Sequence, residues 1–539
     1  MVRVIVSWER IDGGQVRRMM APNEATTPPR RSRHWVWPAL LAVVGGLGGS
    51  AAPAAIPPLS WVAYLGHYQA GPDSTVANHG YAPPEDVESI PVQSYTASVQ
   101  PKAIGVQFLD ASARELKRQH LVMTMKTAQG RTQRVPVEVS RTGFVGYRPP
   151  HPLAPGRYTF RVGSLQLGYT PSWTVTIDPT LTLPAPSADG LEALALLNQV
   201  RAGLGLNPAV WSANLALAAG RHAQYVAHWG YNHPSFHVEK KGPLYFGTYP
   251  WDRDLRAGWM DASTGEVGIA SSRPVAGPEF VAALLDTVYH RLGLLSANLT
   301  AVGMQRAQGA MDDAAMMDTA YGYRQDLPLA IAFPPAGAVG VPTDWYDNED
   351  PDPVPNGQGD LYGYPITLDC PTVSSLGAVA MELVQGGVVV PTYMDRPGQG
   401  DMQPNQVALV PKSPLKADAT YEVAVVSQNV RFNDGSLGVL DERWTFTTGG
   451  SQSVYAAVFG RRVMAAVDTP GGVSPAHSTT VTVIFRRGAR SVRVAVRVGP
   501  SGVGWAALPA LGRGVWTLLA VTPSGNQSRS VAVLPQGGP

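Results

Sequence analysis

The chain is poor in cysteine and in charge, and each shortage excludes a class of protein. Cys370 is the one cysteine in the sequence, so neither an intrachain disulfide nor a cysteine-based zinc cage can form. Charged residues make up 15% of the chain and the formal net charge is +2. No basic stripe or recognition motif stands out, so we expect no nucleic acid partner.

Glycine and proline are abundant instead, and the chain is long. With 539 residues, it exceeds what one hydrophobic core usually supports, so several domains are expected. The 57 glycines and 48 prolines favour all-β modules and linkers over helical bundles. We therefore expect a multidomain protein that is rich in β-structure.

The N-terminal region has the layout of an export signal. Arg30, Arg31 and Arg33 precede an apolar run that ends in small residues. We predict that residues 1–56 are a signal peptide cut near 50–55, or a single N-terminal membrane anchor if no cut occurs. The protein is then secreted or held at the cell surface. Residues 57–91, rich in proline and glycine, are predicted to be a linker.

Short alternating strands recur in three later regions. Residues 92–179, 360–449 and 453–539 each read as an all-β, immunoglobulin-like sandwich. Each contains a leucine and a tight turn before an aromatic residue that enters a strand: Tyr158, Tyr421 and Trp516. We expect these three aromatic side chains to be core anchors that hold the preceding loop.

Helical periodicity appears only between these regions, in residues 187–345. Asp189 is the predicted N-cap of a first helix, and Pro278 opens a later one. Short strands flank the helices, which makes this central domain different from its neighbours. The acidic stretch that follows, residues 346–359, could offer oxygen ligands to Ca²⁺, but its spacing is not that of an EF-hand. We predict a solvated linker there.

A series of motifs in the central domain occurs in a distinctive order. They are Asn198 and Arg201, the alanine-rich helix after Trp211, a histidine-containing loop, the sequence PWDR, Gly265 and Glu266, the sequence YHR that contains His290, and Val302 and Gly303. This order resembles the CAP superfamily, the secreted domains related to cysteine-rich secretory proteins, antigen 5 and pathogenesis-related proteins. The resemblance implies a central α-β-α sandwich with an open cleft where two histidines and two acidic residues converge.

Carried over by motif, the resemblance implies that His237, Glu266 and His290 line the cleft. His233 is the alternative for the first histidine. The second acid has no clear counterpart, because Thr287 falls near its place and Asp286 lies one residue away. Additional candidates for ligand binding are Glu239, Asp286 and Arg291. The two imidazoles of His237 and His290 are candidate ligands for Zn²⁺.

These residue types allow two functions. The first is a protein that binds an extracellular or cell-envelope ligand in the cleft. The second is a metal-assisted hydrolase of peptides or cell-wall polymers, with His237 and His290 as ligands and Glu266 as base. The sequence contains no G-x-S-x-G and no H-E-x-x-H motif, which favours binding.

Overall fold

A computed structural model describes residues 8–10, 61–66, 93–97, 103–108, 113–118, 120–139, 144–163, 172–177, 182–259, 263–322, 327–355, 360–468, 478–499, 501–523 and 527–534. The predicted signal or anchor segment lies outside these residues, apart from one short strand, β1 (Trp8–Arg10), which pairs with the central domain. In the described part of the chain, no helix has both the length and the apolar character needed to cross a bilayer.

The first β-domain is a sandwich of two sheets. Its elements are β2 (Trp61–Gly66), β3 (Gln93–Ala97), β4 (Ala103–Phe108), α1 (Ala113–Arg118), β5 (Val122–Lys126), β6 (Thr132–Val135), β7 (Glu138–Val139), β8 (Phe144–Tyr147), β9 (Gly156–Gly163) and β10 (Ser172–Ile177). One sheet has the order β2-β4-β8-β7 and the other β3-β10-β9-β5-β6. Strand β2 lies in the region that we predicted to be a linker, and it pairs with β4.

The central domain combines helices with one mixed sheet. Its elements are α2 (Ala188–Gly203), β11 (Val210–Trp211), α3 (Ala213–Trp229), α4 (Pro250–Ala257), β12 (Ser263–Ser271), α5 (Gly277–Leu285), α6 (Tyr289–Leu294), β13 (Leu299–Gln308) and β14 (Asp313–Tyr321). The sheet order is β1-β12-β14-β13-β11.

A side-chain cap determines where the first helix of this domain begins. Ser187 caps α2 by accepting a hydrogen bond from the backbone N–H of Gly190, so our assignment of Asp189 as the cap was wrong. Asp189 instead accepts a hydrogen bond from the backbone N–H of Gly277 at 2.8 Å. Pro278 lies in the first turn of α5, as predicted.

The helices cover both faces of the sheet. Because side chains alternate along a strand, Val267 and Ile269 of β12 pack against α2 and α5, while Ala270 packs against α3 on the other face. Gly303 of β13 allows α3 to approach closely, since a Cβ there would lie 2.0 Å from the backbone nitrogen of Ala216. The result is three layers, α-β-α.

The second sandwich begins earlier than predicted, inside residues 187–345. Its strands and those of an adjoining two-stranded ribbon are β15 (Ile331–Phe333), β16 (Ala338–Val341), β17 (Asp344–Tyr346), β18 (Leu361–Gly363), β19 (Ile366–Asp369), β20 (Val373–Ser375), β21 (Ala378–Gln385), β22 (Val388–Val389), β23 (Thr392–Asp395), β24 (Gln406–Pro411), β25 (Thr420–Phe432) and β26 (Leu437–Thr448). The sheets are β15-β19-β24-β23 and β16-β26-β25-β21-β22, with β20 paired to β25, while β17 and β18 form the ribbon.

The C-terminal domain is one curled sheet and not the predicted pair of sheets. Its strands are β27 (Ser453–Phe459), β28 (Arg462–Asp468), β29 (Thr479–Arg487), β30 (Arg490–Val498), β31 (Val503–Ala507), β32 (Gly514–Val521) and β33 (Gln527–Leu534). The sheet order is β27-β28-β31-β30-β29-β32-β33, and the two outer strands also contact each other. Val454 and Ala456 face the core inside the curl.

The predicted aromatic anchors hold their loops by hydrogen bonds. Tyr158 donates to the carbonyl of Ala154 at 2.8 Å, and Trp516 donates to that of Gly512 at 2.7 Å. The hydroxyl of Tyr421 accepts from the backbone N–H of Lys416 at 2.8 Å. All three side chains are buried, so this prediction is confirmed.

The central domain shares its hydrophobic core with both domains that follow it. Tyr455 and Met464 of the C-terminal sheet and Trp345 and Val410 of the second sandwich all belong to the core that contains α2 and α5. At this junction, the partly buried carboxylate of Asp286 accepts hydrogen bonds from three hydroxyls, which belong to Tyr364, Ser453 and Tyr455.

Candidate functional site

Two acidic side chains point from the sheet toward α3. Glu266 of β12 and Asp318 of β14 are directly opposite each other in the antiparallel register. Both side chains belong to the face that α3 and α4 cover, and both are fully buried. Burying two carboxylates is costly unless charges or hydrogen bonds compensate them, so their partners define the site.

Glu266 is held by an arginine and a histidine. Arg253 of α4 donates from Nη2 to both carboxylate oxygens, at 2.7 and 2.8 Å. His237 lies 2.7 Å from Glu266 Oε1 through its Nδ1, and the carbonyl of His237 accepts from Arg253 Nη1 at 3.1 Å. The structure therefore joins the PWDR motif, the loop histidine and the Gly-Glu motif. Arg253 pairs with this carboxylate in a charge-assisted contact.

A second histidine, on helix α3, lies next to this group. His222 of α3 is fully buried, with Nδ1 3.0 Å from Glu239 Oε1 and Nε2 2.7 Å from the carbonyl of Phe236. Its Nε2 is also 3.5 Å from Glu266 Oε1. Glu239 accepts additional hydrogen bonds from the backbone N–H groups of Phe246 and Gly247. The Glu239 carboxylate thus fixes both the helix and the glycine-rich loop.

The charge balance keeps Glu266 ionised. Burial alone would raise its pKa, but the charges of Arg253, His222 and His237 outweigh burial and hold the pKa of Glu266 far below its usual range. A carboxylate in this state is a permanent hydrogen-bond acceptor. It therefore holds the Nδ1 side of His237, and the Nε2 of that ring is left without a hydrogen-bond partner.

Asp318 is paired with another buried acid, Asp254 of α4. The two carboxyl groups hydrogen-bond to each other, and both are buried. Burial raises the pKa of Asp254 to about 7. Burial and the negative charges of Asp254 and Glu266 raise the pKa of Asp318 well above its usual range. The pair therefore retains protons at neutral pH.

His290, at the start of α6, has its own carboxylate. Its Nδ1 is 2.6 Å from Glu349 Oε1. The same carboxylate accepts from the backbone N–H groups of Val288 and Tyr289, at 2.7 and 2.8 Å, which places a negative charge at the N-terminus of the helix. Glu349 thus orients His290 as Glu266 orients His237.

The two oriented histidines each retain one nitrogen without a partner. The Nε2 atoms of His237 and His290 are buried and have no hydrogen-bond partner. Partial burial raises the pKa of Asp350, while the imidazoles of His237 and His290 act on it in the opposite direction, so this carboxyl lies near both rings. Unpaired buried polar atoms are rare and cost about 1–3 kcal/mol each, which singles out this place as a candidate site.

A family comparison identifies the type of the central domain. A family model described as the cysteine-rich secretory protein family, CAP, matches residues 194–318. The central domain is a CAP domain. None of the curated proteins compared with the chain matches it.

Solved structures give only slight likenesses. CopC from Methylosinus trichosporium OB3b is 18% identical, with a TM-score of 0.15, and the match covers 22% of this chain and 89% of that one. A tetra-tandem repeat from the extending region of a large adhesion protein is 10% identical, with a TM-score of 0.13 and coverages of 81% and 97%. Extracellular domains 3–5 of Drosophila OTK are 7% identical, with a TM-score of 0.15 and coverages of 82% and 95%. Likenesses this slight carry no argument here.

The CAP site differs from the expected open cleft. His237 is 5% exposed, and Glu266 and His290 are fully buried. A segment that contains Glu349 and Asp350 covers the two histidines, and we call it the covering segment. It follows the ribbon strand β17 in the sequence. Because Glu349 and Asp347 are also fully buried, this part of the predicted acidic linker is not solvated. It packs onto the CAP domain.

Three predicted ligand-binding residues and the alternative histidine lie elsewhere. Glu239 contacts the Nδ1 atom of His222 on helix α3. Asp286 is partly buried at the junction of three domains, where it binds hydroxyl groups. Arg291 donates to the carbonyls of Leu285 and Pro365 and stacks on aromatic rings. His233 stacks on Trp229, with ring centroids 4.8 Å apart. The ligand-binding prediction for Glu239, Asp286 and Arg291 therefore does not fit their positions.

Sequence reasoning missed four members of the site: the paired acids Asp254 and Asp318, Glu349, and His222. Glu349 lies 59 residues after His290 and outside the matched family region, in a stretch that only its acidity distinguished. His222 stands on the apolar face of helix α3 and is fully buried, yet both of its nitrogens contact oxygen atoms. The helix periodicity gave its face but not its partners.

The predicted Zn²⁺ ion needs ligands that the side chains of this site supply only in part. Two Nε2 atoms with orienting carboxylates on their Nδ1 side have the chemistry of zinc ligands. Within the described residues, however, no three His, Cys, Asp or Glu side chains are grouped so that they could hold one metal ion. The donors present therefore do not make the three-ligand site that a zinc hydrolase needs.

Proposed function

We propose that this chain is an extracellular or cell-surface CAP protein that binds a hydroxyl-rich ligand, such as a cell-envelope polysaccharide, through the paired imidazoles of His237 and His290. The observation that carries the proposal is the pair of buried Nε2 atoms, each without a partner and each on a ring whose Nδ1 is fixed by a carboxylate. The extracellular location is supported by the family description and by the predicted export signal.

The chemistry of the site indicates which ligands it favours. When each ring is neutral, its Nε2 accepts hydrogen bonds, because Glu266 and Glu349 hold the one ring proton on Nδ1. The carboxyl of Asp350, which lies near both rings, is also an acceptor when ionised. Three acceptors and no donor favour a ligand that donates hydrogen bonds, such as a sugar hydroxyl, over a phosphate or carboxylate.

Binding requires the covering segment to move. The Nε2 atoms are buried beside the segment that contains Glu349 and Asp350, and we infer that a ligand reaches them when Asp350 is displaced. Each new hydrogen bond to Nε2 would recover part of the cost of leaving that atom unpaired, about 1–3 kcal/mol. This recovery is available only to a ligand that donates to both rings.

The test uses the full chain and purified cell-envelope polysaccharides, with binding measured by calorimetry. His237→Asn and His290→Asn keep an amide N–H near the Nδ1 position but remove the Nε2 acceptor. We expect each variant to bind at least tenfold more weakly than the wild type, while His228→Asn, an exposed histidine of α3, changes nothing. Binding that is equal in all four proteins, or absent in the wild type, would refute the proposal.

The hydrolase alternative is tested in the same series. Zinc titration of the wild type should show no binding beyond that of the His237→Asn and His290→Asn variants, because a third ligand is not in place among the described side chains. Tight Zn²⁺ binding that both variants lose would support a metal-assisted hydrolase instead.

A further inference from the structure

The C-terminal domain is strongly basic, although the chain as a whole is nearly neutral. Residues 453–539 contain nine arginines, no lysine, no glutamate and one aspartate, which gives a formal charge of +8 against +2 for the whole chain. Five of these arginines belong to the antiparallel pair of β29 and β30: Arg486, Arg487, Arg490, Arg493 and Arg497. The pairing of the two strands decides where their side chains lie.

Two of the five arginines serve the fold. Arg487 donates to the carbonyl of Arg513, and Arg490 donates to that of Ala510 at 3.3 Å. The guanidinium carbon of Arg490 also lies 5.5 Å from the ring centroid of Trp516. Both side chains therefore hold the loop that precedes β32, and we do not assign them to a ligand.

The other three arginines share the outer face of the curled sheet. Side chains alternate along a strand, and Phe485 of β29 and Val496 of β30 lie in the core inside the curl. Arg486, Arg493 and Arg497 therefore point outward, and all three are exposed. Among the described residues, none of the three has a hydrogen bond or an ion pair. We call this surface the arginine face.

The three charges lie close together. Arg493 and Arg497 are four residues apart on one strand, which separates their backbones by about 13 Å. Arg486 is opposite Ser491 and therefore diagonal to Arg493, at about 7–8 Å. An exposed arginine of the second sandwich is placed differently: Arg443 lies within 4 Å of two acids. The arginine face has no such neutralising partner among the described residues.

The arginine face also points away from the rest of the chain. Tyr455 of β27 and Met464 of β28 pack into the core of the CAP domain. In the sheet order, β30 and β29 are the strands farthest from β27 around the curl. Contact between domains thus covers one side of the C-terminal sheet and leaves the opposite side open to a partner.

The side chains between the arginines indicate the kind of partner. They include Ser491, Ala495 and Thr482, which are small, while the single large apolar side chain at these outer positions, Ile484, is buried. Insertion into a bilayer interface uses residues such as Trp, Phe and Leu, and single-stranded nucleic acid stacks on aromatic rings. The outer positions of β29 and β30 hold none of these residues.

We propose that the arginine face binds an anionic polysaccharide. A guanidinium group matches an oxyanion such as a carboxylate with two parallel N–H donors. A polymer that carries such groups along its length can contact all three arginines while it lies flat on the small side chains between them. The proposal does not depend on the histidine site, which offers acceptors to hydroxyl groups and is located in another domain.

The experiment measures binding of the full chain to polygalacturonate, a carboxylate polymer, by calorimetry at NaCl concentrations from about 50 to 200 mM. The wild type should bind the polymer more weakly as salt rises, and it should not bind neutral dextran. The double variant Arg493→Gln, Arg497→Gln should bind about tenfold more weakly at the lowest salt. Its affinity should also depend less steeply on salt, because fewer counterions are released.

The matched control is the double variant Arg431→Gln, Arg443→Gln, which removes the same charge from exposed positions of the second sandwich. This control and His237→Asn should both bind polygalacturonate as the wild type does, and Tm should be the same in all the variants at exposed positions. The proposal is overturned if the wild type does not bind the polymer, or if the control loses as much affinity as the Arg493, Arg497 variant. Loss of binding in His237→Asn would assign the polymer to the histidine site. Tighter binding to phosphatidylglycerol vesicles or to double-stranded DNA than to polygalacturonate would also refute it.

Discussion

Replacing Asp318 by asparagine tests the buried acid pair directly. Asparagine has the shape of a protonated aspartic acid, and its amide can donate to Asp254 as the protonated carboxyl does. In the wild type, both Asp254 and Asp318 keep protons in the folded chain at pH values where the unfolded chain, with an aspartate pKa of about 3.9, has lost them. In the variant, only Asp254 can keep a proton in this way, because the asparagine side chain does not titrate.

The sign and size of the effect follow from proton linkage. When the folded state binds more protons than the unfolded state, the free energy of unfolding falls as pH rises. Each retained proton contributes a slope of about 1.4 kcal/mol per pH unit between the unfolded and the folded pKa. From pH 5 to 7 the wild type should therefore lose stability faster than Asp318→Asn by up to about 1.4 kcal/mol per pH unit, and the variant should be the more stable protein at pH 7.

The assay is urea denaturation of the full chain at pH 5, 6 and 7. Contributions from other groups are common to both proteins and cancel in the difference between them. Asp313→Asn, on the same strand but only partly buried, is the control and should leave the slope unchanged. Parallel stability curves for the wild type and Asp318→Asn would show that Asp318 is ionised in the folded protein, and the reasoning would fail.

Three additional substitutions test the framework around the site. Glu266→Gln leaves Arg253 buried without its charge partner, so we expect a loss of about 3–5 kcal/mol near neutral pH. That loss should shrink below about pH 4 in thermal denaturation, because the pKa of Glu266 is lowered in the folded protein and its contribution disappears as the carboxylate is protonated. Asp286→Asn weakens three hydroxyl hydrogen bonds, should cost about 2–3 kcal/mol, and should let limited proteolysis release the C-terminal sheet sooner. Gly303→Ala forces a methyl group against helix α3 and should cost about 3 kcal/mol in urea denaturation, whereas Gly242→Ala, whose Cβ would meet nothing closer than 3.9 Å, should change stability by less than about 0.5 kcal/mol.

Local patterns predicted much of the fold. The aromatic anchors Tyr158, Tyr421 and Trp516 were readable because a tight turn and the alternating strand that follows are close together in sequence. The C-terminal domain was harder, since alternation along a strand is the same in one curled sheet as in two facing sheets. Pairing between distant strands decides which forms.

Part of the site could also be predicted, because some of its residues belong to local sequence motifs. His237 and Glu266 stand in recognisable motifs, and the structure brings them together. Glu349 could not be found, because its role depends on the ribbon that turns the chain back over α6. Burial could not be predicted either: the acidic stretch has the composition of a solvated linker, yet Asp347 and Glu349 are fully buried. Composition describes a segment, whereas the neighbours determine its environment.

The carboxylate of Asp286 has a practical consequence for anyone who wishes to prepare the CAP domain by itself. A fragment that ends before Tyr364 would lose all three hydroxyls that solvate this acid, and one that ends before Glu349 would also leave His290 without its orienting partner. Such a fragment would expose the surface that contacts the following domains in the full chain, and it would be prone to self-association. Its His290 imidazole would also be misaligned. A failure of the isolated domain to bind a ligand would then be a result of the truncation and would not represent the native protein.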